Sequence, residues 1–402
     1  MRTKSLIAES VPISQDSTLF HTVFDTKNMQ NAKIVVVGLG AMGSAALYHL
    51  ARRGVAAVGI EQFQLGHALG SSHGFSRIFR DVYEHPEYIK LAEATIPMWQ
   101  ELDSLAAEKL MYFTGLLYFA RPGNDKIAQR IGVMEALGRS IECMTSQEVT
   151  SRYPALRLPQ DAVTCFTARA GLLNVGRCIL EHLEQAQRAG ATVQERVRVH
   201  RVDISQETPL LETSAGQIRC DRLIISPGPW APQVLEDLAL PLRVTRQQEF
   251  YFRPKHRDRY KPGQLPVFGD MDTKFYGFPD YGPGVKTADD GLGVETSASE
   301  VDRTLDFDKR DELQAWLSSI MPDSGFSYVE GTTCMYTSTP DRDFIIDAHP
   351  GNANVLVAAG FSGHGFKFST LVGKILADLA ADGSTEYPVE RFRLDRFEKA
   401  RA

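Results

Sequence analysis

The sequence predicts a two-domain α/β protein, with a Rossmann-like dinucleotide-binding domain beside a domain built on an antiparallel sheet. Three observations carry this reading. A Gly38-x-Gly40-x-x-Gly43 run stands between a β-branched apolar segment and a helical one. Two further apolar runs, Arg222–Ser226 and Asn354–Ala359, also end in glycine-bearing turns. Between these pieces lie stretches that alternate aromatic and polar residues. At 402 residues the chain exceeds one simple core and suits two interleaved domains.

Taken in order, Lys33–Val37 reads as a buried strand, and Ala41–Arg53 has helical spacing that stops at Gly54. Val55–Glu61 is a second strand ending in an acid, which completes a β-α-β unit. In that unit Gly38 permits the tight turn, Gly40 lets backbone approach a pyrophosphate, and Gly43 allows close helix–strand packing. The helix N-terminus faces the anion. Glu61 is positioned to accept from a ribose hydroxyl. The glycine pattern does not separate FAD from NAD. Residues 33–108, 163–238 and 331–390 are assigned to a discontinuous dinucleotide domain. Residues 109–162 and 239–330 form the substrate domain, with Arg246–Arg253 and Lys274–Phe278 as strands. Residues 1–32 are expected to be a mobile N-terminal extension.

Hydrophobic residues at 43% and charged residues at 23% are ordinary for a globular protein. A net charge of −6, with no block of Lys or Arg, argues against a nucleic-acid partner. The longest apolar stretch, Ile34–Leu47, is broken by glycines and falls short of a membrane span. The first 32 residues lack an apolar secretory core, so a cytoplasmic location is expected. Five cysteines occur without any Cys-x-x-Cys spacing, which suggests neither a disulfide framework nor a metal site.

Chemistry concentrates in three other places. Gly70–Arg80 (GSSHGFSRIFR) puts His73, Arg77 and Arg80 in a short cationic loop suited to a carboxylate or an electron-rich ring. Cys334 opens the run CMYTSTPDRDFIID, and GFSGHGFKF follows at 360–368. With GLGAMG at 38–43 and YGFP at 276–279, these stretches stand in the same order as in the monomeric sarcosine oxidase family. The chain therefore resembles that family, which includes N-methyltryptophan, pipecolate and fructosyl-amino-acid oxidases.

The resemblance implies FAD as cofactor, held at Gly38, Gly40, Gly43, Glu61, Ser71 and Ser72 and linked through a Cys334 thioether. It implies that Gly360, Gly363 and Gly365 present backbone amides to the reduced ring, and that Arg80 and Lys367 bind a substrate carboxylate. His73 and Arg77 would lie against the ring, His73 either tuning it or serving as a hydrogen-bonded structural residue. Lys286 would offer a cation that favours electron transfer to O2. Tyr276 and Tyr336 are either pocket walls or ordinary core aromatics. The implied reaction oxidises a secondary amine, an N-methyl or N-alkyl amino acid such as sarcosine or N-methyltryptophan, and yields an aldehyde and hydrogen peroxide. A monomer is implied.

One position departs from the family pattern. Asp290 stands where sarcosine-type members have a histidine facing the substrate, so it either selects a substrate bearing a cationic group or sits on a solvated turn. Three other readings stay open: a cyclic imino-acid (pipecolate or proline) oxidase, an NAD-dependent dehydrogenase and a non-enzymatic flavin-binding protein.

Overall fold

The computed structural model describes residues 29–291 and 293–399. The expected mobile extension therefore lies outside the described residues apart from 29–32. Of these, Gln30–Ala32 already belong to the first strand.

That strand, Gln30–Val37, lies inside an α/β sheet. The strand order is Ile345–His349, Asn352–Ala359, Gly216–Ile225, Gln30–Val37, Ala57–Ile60, Thr192–Gln194. The four pairings from Asn352–Ala359 to Thr192–Gln194 are parallel. Val35 and Val36 are fully buried, as a strand covered on both faces requires. The helix Ala41–Arg52 follows at once and packs against Ser369–Asp382. Gly373 sets their separation: a Cβ there would meet the Ala45 carbonyl carbon at 2.4 Å.

A second sheet runs Val294–Glu295, Arg243–Arg253, Gly284–Asp289, Phe275–Tyr281, Val267–Asp270, Leu116–Ala120, Val163–Thr167, and Ser327–Ser338 also pairs with Arg243–Arg253. The helix Phe307–Ile320 covers it through Leu313 and Leu317, and Trp316 stacks on Phe268. A small third sheet joins Ser76–Phe79, Gly171–Asn174 and Met111–Phe113.

The expected antiparallel sheet needs correcting in one place: Val267–Asp270 runs parallel to Leu116–Ala120. Sheet membership also crosses the boundaries expected at 163 and 331. Val163–Thr167 and Ser327–Ser338, which carries Cys334, both belong to the second sheet. The reason for the latter is an eleven-pair register along Arg243–Arg253, which extends the strand across residue 331. The strand expected at Lys274–Phe278 is Phe275–Tyr281, because Lys274 turns the chain with φ +66°.

Candidate active site

Where the parallel strands end, their loops enclose a cavity of about 670 Å3, a size ordinary for a ligand site. Its wall includes Gly38, Gly40, Glu61, Ser71 and Ser72 from one side and Gly360, Gly363 and Gly365 from another. Glycine is required at several of these positions. Gly38 has φ +85°, and a Cβ on it would meet Ser226 O at 2.4 Å. A Cβ on Gly43 would meet Gly38 O at 1.9 Å. Around Gly40 only Ser72 Oγ comes near, at 3.8 Å, which leaves its backbone open to a ligand. A Cβ on Gly363, whose φ is +77°, would strike the Tyr336 ring at 2.4 Å.

Glu61 is buried and accepts from Leu39 N (3.0 Å) and Phe63 N (3.1 Å), so it braces the glycine loop. Its carboxylate keeps lone pairs for a further donor. The Gly360–Gly365 loop does not enter its helix directly. A 3-10 turn, Phe366–Phe368, intervenes before Ser369–Asp382. Backbone cleared of side chains, a bracing acid and the cavity's size together fit a dinucleotide such as FAD.

The second sheet turns one face toward this region. Alternate residues of neighbouring strands share a face, and the register brings Cys334 opposite Gln247, Tyr336 opposite Thr245, Tyr251 opposite Lys286 and Tyr276 opposite Ala288. Residues far apart in sequence thereby converge. Of this group Tyr336 lines the cavity, as does Arg77, whereas His73, Gly43, Cys334, Lys286, Tyr276, Arg80 and Lys367 do not.

Lys286 is 1% exposed. Its Nζ donates to Ser76 O at 2.5 Å and to Glu249 Oε2 at 3.3 Å, and lies 4.1 Å from the Phe278 ring centre. Burial pulls its pKa down to about 8, with Glu249 opposing the fall and Arg77 adding to it. Arg77 donates to the same Glu249 oxygen at 3.3 Å and to the carbonyls of Ser76 and Ser71. His73 is buried, its Nε2 has no partner, and burial followed by Arg77 lowers it to about 4, so the ring is neutral at pH 7. Burial pushes the Cys334 thiol up to about 11, while Arg77 and Lys286 pull it back.

A second cluster forms around Arg80 and Lys367. The Arg80 guanidinium contacts the Tyr118 hydroxyl and lies 4.6 Å from the Tyr83 ring centre, and its Nε is unpartnered. Lys367, 3% exposed, donates to His364 O at 2.7 Å. Burial first, then Arg80, drives its pKa well below the usual lysine range. Among the described residues neither cation has a carboxylate within ion-pair distance; Glu84, which acts on Arg80, is paired with Arg130 at 2.6 Å. Asp290 is exposed as a residue, yet desolvation of its carboxyl raises its pKa, with Arg342, Arg80 and Lys367 opposing the rise. Burial followed by Tyr276 and Asp290 raises the Tyr336 hydroxyl well above its usual range, so these three groups lie within electrostatic range of one another.

Sequence reasoning missed Glu249, Tyr118 and Tyr83. Glu249 lay within a strand already expected, and the one available indication was an acid placed directly before the aromatic run Phe250–Phe252.

Comparison with known proteins follows the same lines. The FAD dependent oxidoreductase family model matches residues 33–379. Monomeric sarcosine oxidase of a Bacillus species is 35% identical, over 90% of this chain and 95% of that protein. Its counterpart from Streptomyces avermitilis is 34% identical, over 89% and 96%. L-proline dehydrogenase from P. horikoshii shares the fold with a TM-score of 0.82 at 21% identity, covering 93% of this chain and 99% of that one.

Proposed function

The chain belongs to the FAD dependent oxidoreductase family, and from that premise we propose that it oxidises secondary amines of the N-methyl or N-alkyl amino-acid class, with O2 as acceptor and water hydrolysing the imine, to give an aldehyde, the dealkylated amine or amino acid, and hydrogen peroxide. The observation that carries this reading is the pair of basic side chains, half-buried Arg80 and buried Lys367. They come from distant segments, lie within electrostatic range of each other and of Asp290, and among the described residues have no carboxylate within ion-pair distance. Burial and Arg80 both disfavour the charged form of Lys367, and an anion bound between the two would favour it. A substrate carboxylate is the anion that the amino-acid class supplies.

Bound FAD supplies a two-electron acceptor for the hydrogen on the carbon beside the amine nitrogen. Gly38, Gly40, Gly43, Glu61, Ser71, Ser72 and the Gly360, Gly363 and Gly365 loop would hold it. Arg77, Lys286 and His73 would stand by its ring, and Cys334 would be the thiol that links it covalently. On the substrate side, Arg80 and Lys367 fix the carboxylate and so orient the amine carbon, an effect that lowers the entropic part of the barrier. Tyr276 and Tyr336 wall the cleft. Lys286 keeps a positive charge where electrons pass to oxygen. The word monomeric in the relatives' names supports extending that state to this chain, and a cytoplasmic location remains part of the proposal. Among the described residues no helix is long and apolar enough to cross a membrane.

The purified protein should be precipitated with acid and its colour followed, then assayed for peroxide with sarcosine, N-methyltryptophan, pipecolate and proline. A yellow pellet and peroxide with an N-methyl amino acid are expected. A yellow supernatant would remove the thioether, and turnover confined to the cyclic substrates would shift the class to imino acids. Protein without flavin, and silent with every amine after FAD is added, would overturn the oxidase reading.

A further inference from the structure

Glu249 has no role in the reading above, yet it is the acid on which the ring-side cations converge. Its Oε2 accepts from both Lys286 Nζ and Arg77 Nη1 at 3.3 Å, and its Oε1 accepts from Tyr251 OH at 2.9 Å. The carboxylate is 3% exposed. The register explains the meeting: Tyr251 is paired with Lys286 and Glu249 with Ala288, so Glu249 and Lys286 are diagonal neighbours on one face. On its other side Glu249 is paired with Thr332, two residues before Cys334 on the same face. The approach is close from the cationic loop as well, since a Cβ on Gly74 would meet Glu249 Oε1 at 2.6 Å.

We infer that Glu249 is a positioning residue that gathers Lys286 and Arg77 into one buried ion cluster and thereby sets the charge this cluster presents to the bound cofactor. The inference rests on the proposed placement of the flavin ring beside these cations. With Glu249 ionised and His73 neutral, the cluster carries two positive charges and one negative. Without it, two cations would share a buried space with no counter-ion, and the lysine is the one able to give up its proton. Lys286 is already drawn down to about 8 with Glu249 opposing the fall, so loss of the acid would leave it largely neutral at physiological pH. Arg77, whose guanidinium does not deprotonate, would keep its charge but lose a fixed partner.

The test uses the holoenzyme and Glu249→Gln, which keeps the shape and removes the charge. Two readouts need no amine, so they stand even if the substrate class is wrong. The first is a pH titration of the oxidised flavin's visible spectrum. A step near pH 8 is expected in the wild type, displaced by more than one pH unit to the acid side in Glu249→Gln and absent in Lys286→Met. The second is reoxidation by O2 of photoreduced enzyme at pH 7.5. A loss of at least tenfold is expected in Glu249→Gln, with no further loss when Glu249→Gln is added to Lys286→Met. Glu249→Asp, which keeps the charge on a shorter arm, should recover most of the rate and covers the case in which the glutamine variant fails to fold. An unchanged spectral step and reoxidation rate in Glu249→Gln would overturn the inference. So would a drop in thermal stability alone, because a purely structural acid would do no more.

Discussion

Asp290 is solvent-exposed, yet Arg342, Arg80 and Lys367 all act on its carboxylate, and it in turn acts on Tyr276 and Tyr336. It therefore lies beside the cleft that we assign to the substrate, where an acid discriminates by charge. Asp290→His should raise kcat/KM for sarcosine relative to bulkier or cationic N-alkyl amines. An unchanged ratio across such a panel would return Asp290 to the role of a surface turn. Arg80 gives a sharper prediction. A hydrogen bond to a charged group contributes ~1.5–3 kcal/mol, so Arg80→Met should raise KM for a carboxylate-bearing amine roughly ten- to hundredfold. An amine without a carboxylate should be affected far less, and equal losses for both would point to general damage. Arg80, Lys367 and Cys334 could be put forward from the sequence because each lies in a short diagnostic run. Glu249 was not, since its meaning depends on Lys286 and Arg77, which reach it only through strand register and the approach of a distant loop.

Among the elements, the β-α-β unit was readable because all of its determinants are local: an apolar run, three glycines at fixed offsets and an acid at the next strand's end. The glycine contacts give that reading a physical check. Gly43→Ala places a methyl where Gly38 O lies at 1.9 Å and Ser226 Oγ at 2.6 Å, and backbone cannot retreat as a flexible side chain would. Overpacking of this kind costs ~1–3 kcal/mol, and it falls on the loop expected to meet the pyrophosphate. A lower Tm and weaker FAD retention should appear together in Gly43→Ala. Gly54→Ala, where nothing lies within 4 Å of the added Cβ, should lower Tm through its φ of +71° alone and leave flavin retention intact. Equal flavin loss in both variants would refute the role given to the first loop. The second sheet was harder to read. The parallel pairing of Leu116–Ala120 with Val267–Asp270 joins segments about 150 residues apart, and no local pattern encodes which edge a distant strand will choose.

At the scale of the molecule, one face of the second sheet and the loop ends of the first bring together buried polar groups such as Glu249, Lys286 and His73. Histidines carry a measurable consequence. Burial is the largest influence on His49, His73, His182 and His364, and it lowers all four, His73 to about 4 and His49 to about 3. An unfolded histidine titrates near ~6.5. As pH falls below that value the unfolded chain takes up protons that these folded imidazoles refuse, so stability is complete above about 6.5 and declines toward pH 4. His73 alone should contribute a loss on the order of 3 kcal/mol by pH 4, at ~1.4 kcal/mol per pH unit of displacement. Calorimetry at pH 7.5, 6.0 and 5.0 should therefore show Tm falling before most carboxylates titrate. His73→Gln, which cannot take up a proton, should flatten that fall. A Tm that holds constant from pH 7.5 to 5.0 would mean that these imidazoles take up protons as readily in the folded state as in the unfolded chain, and the neutral, unpartnered His73 assigned to the ring-side cluster would then be wrong.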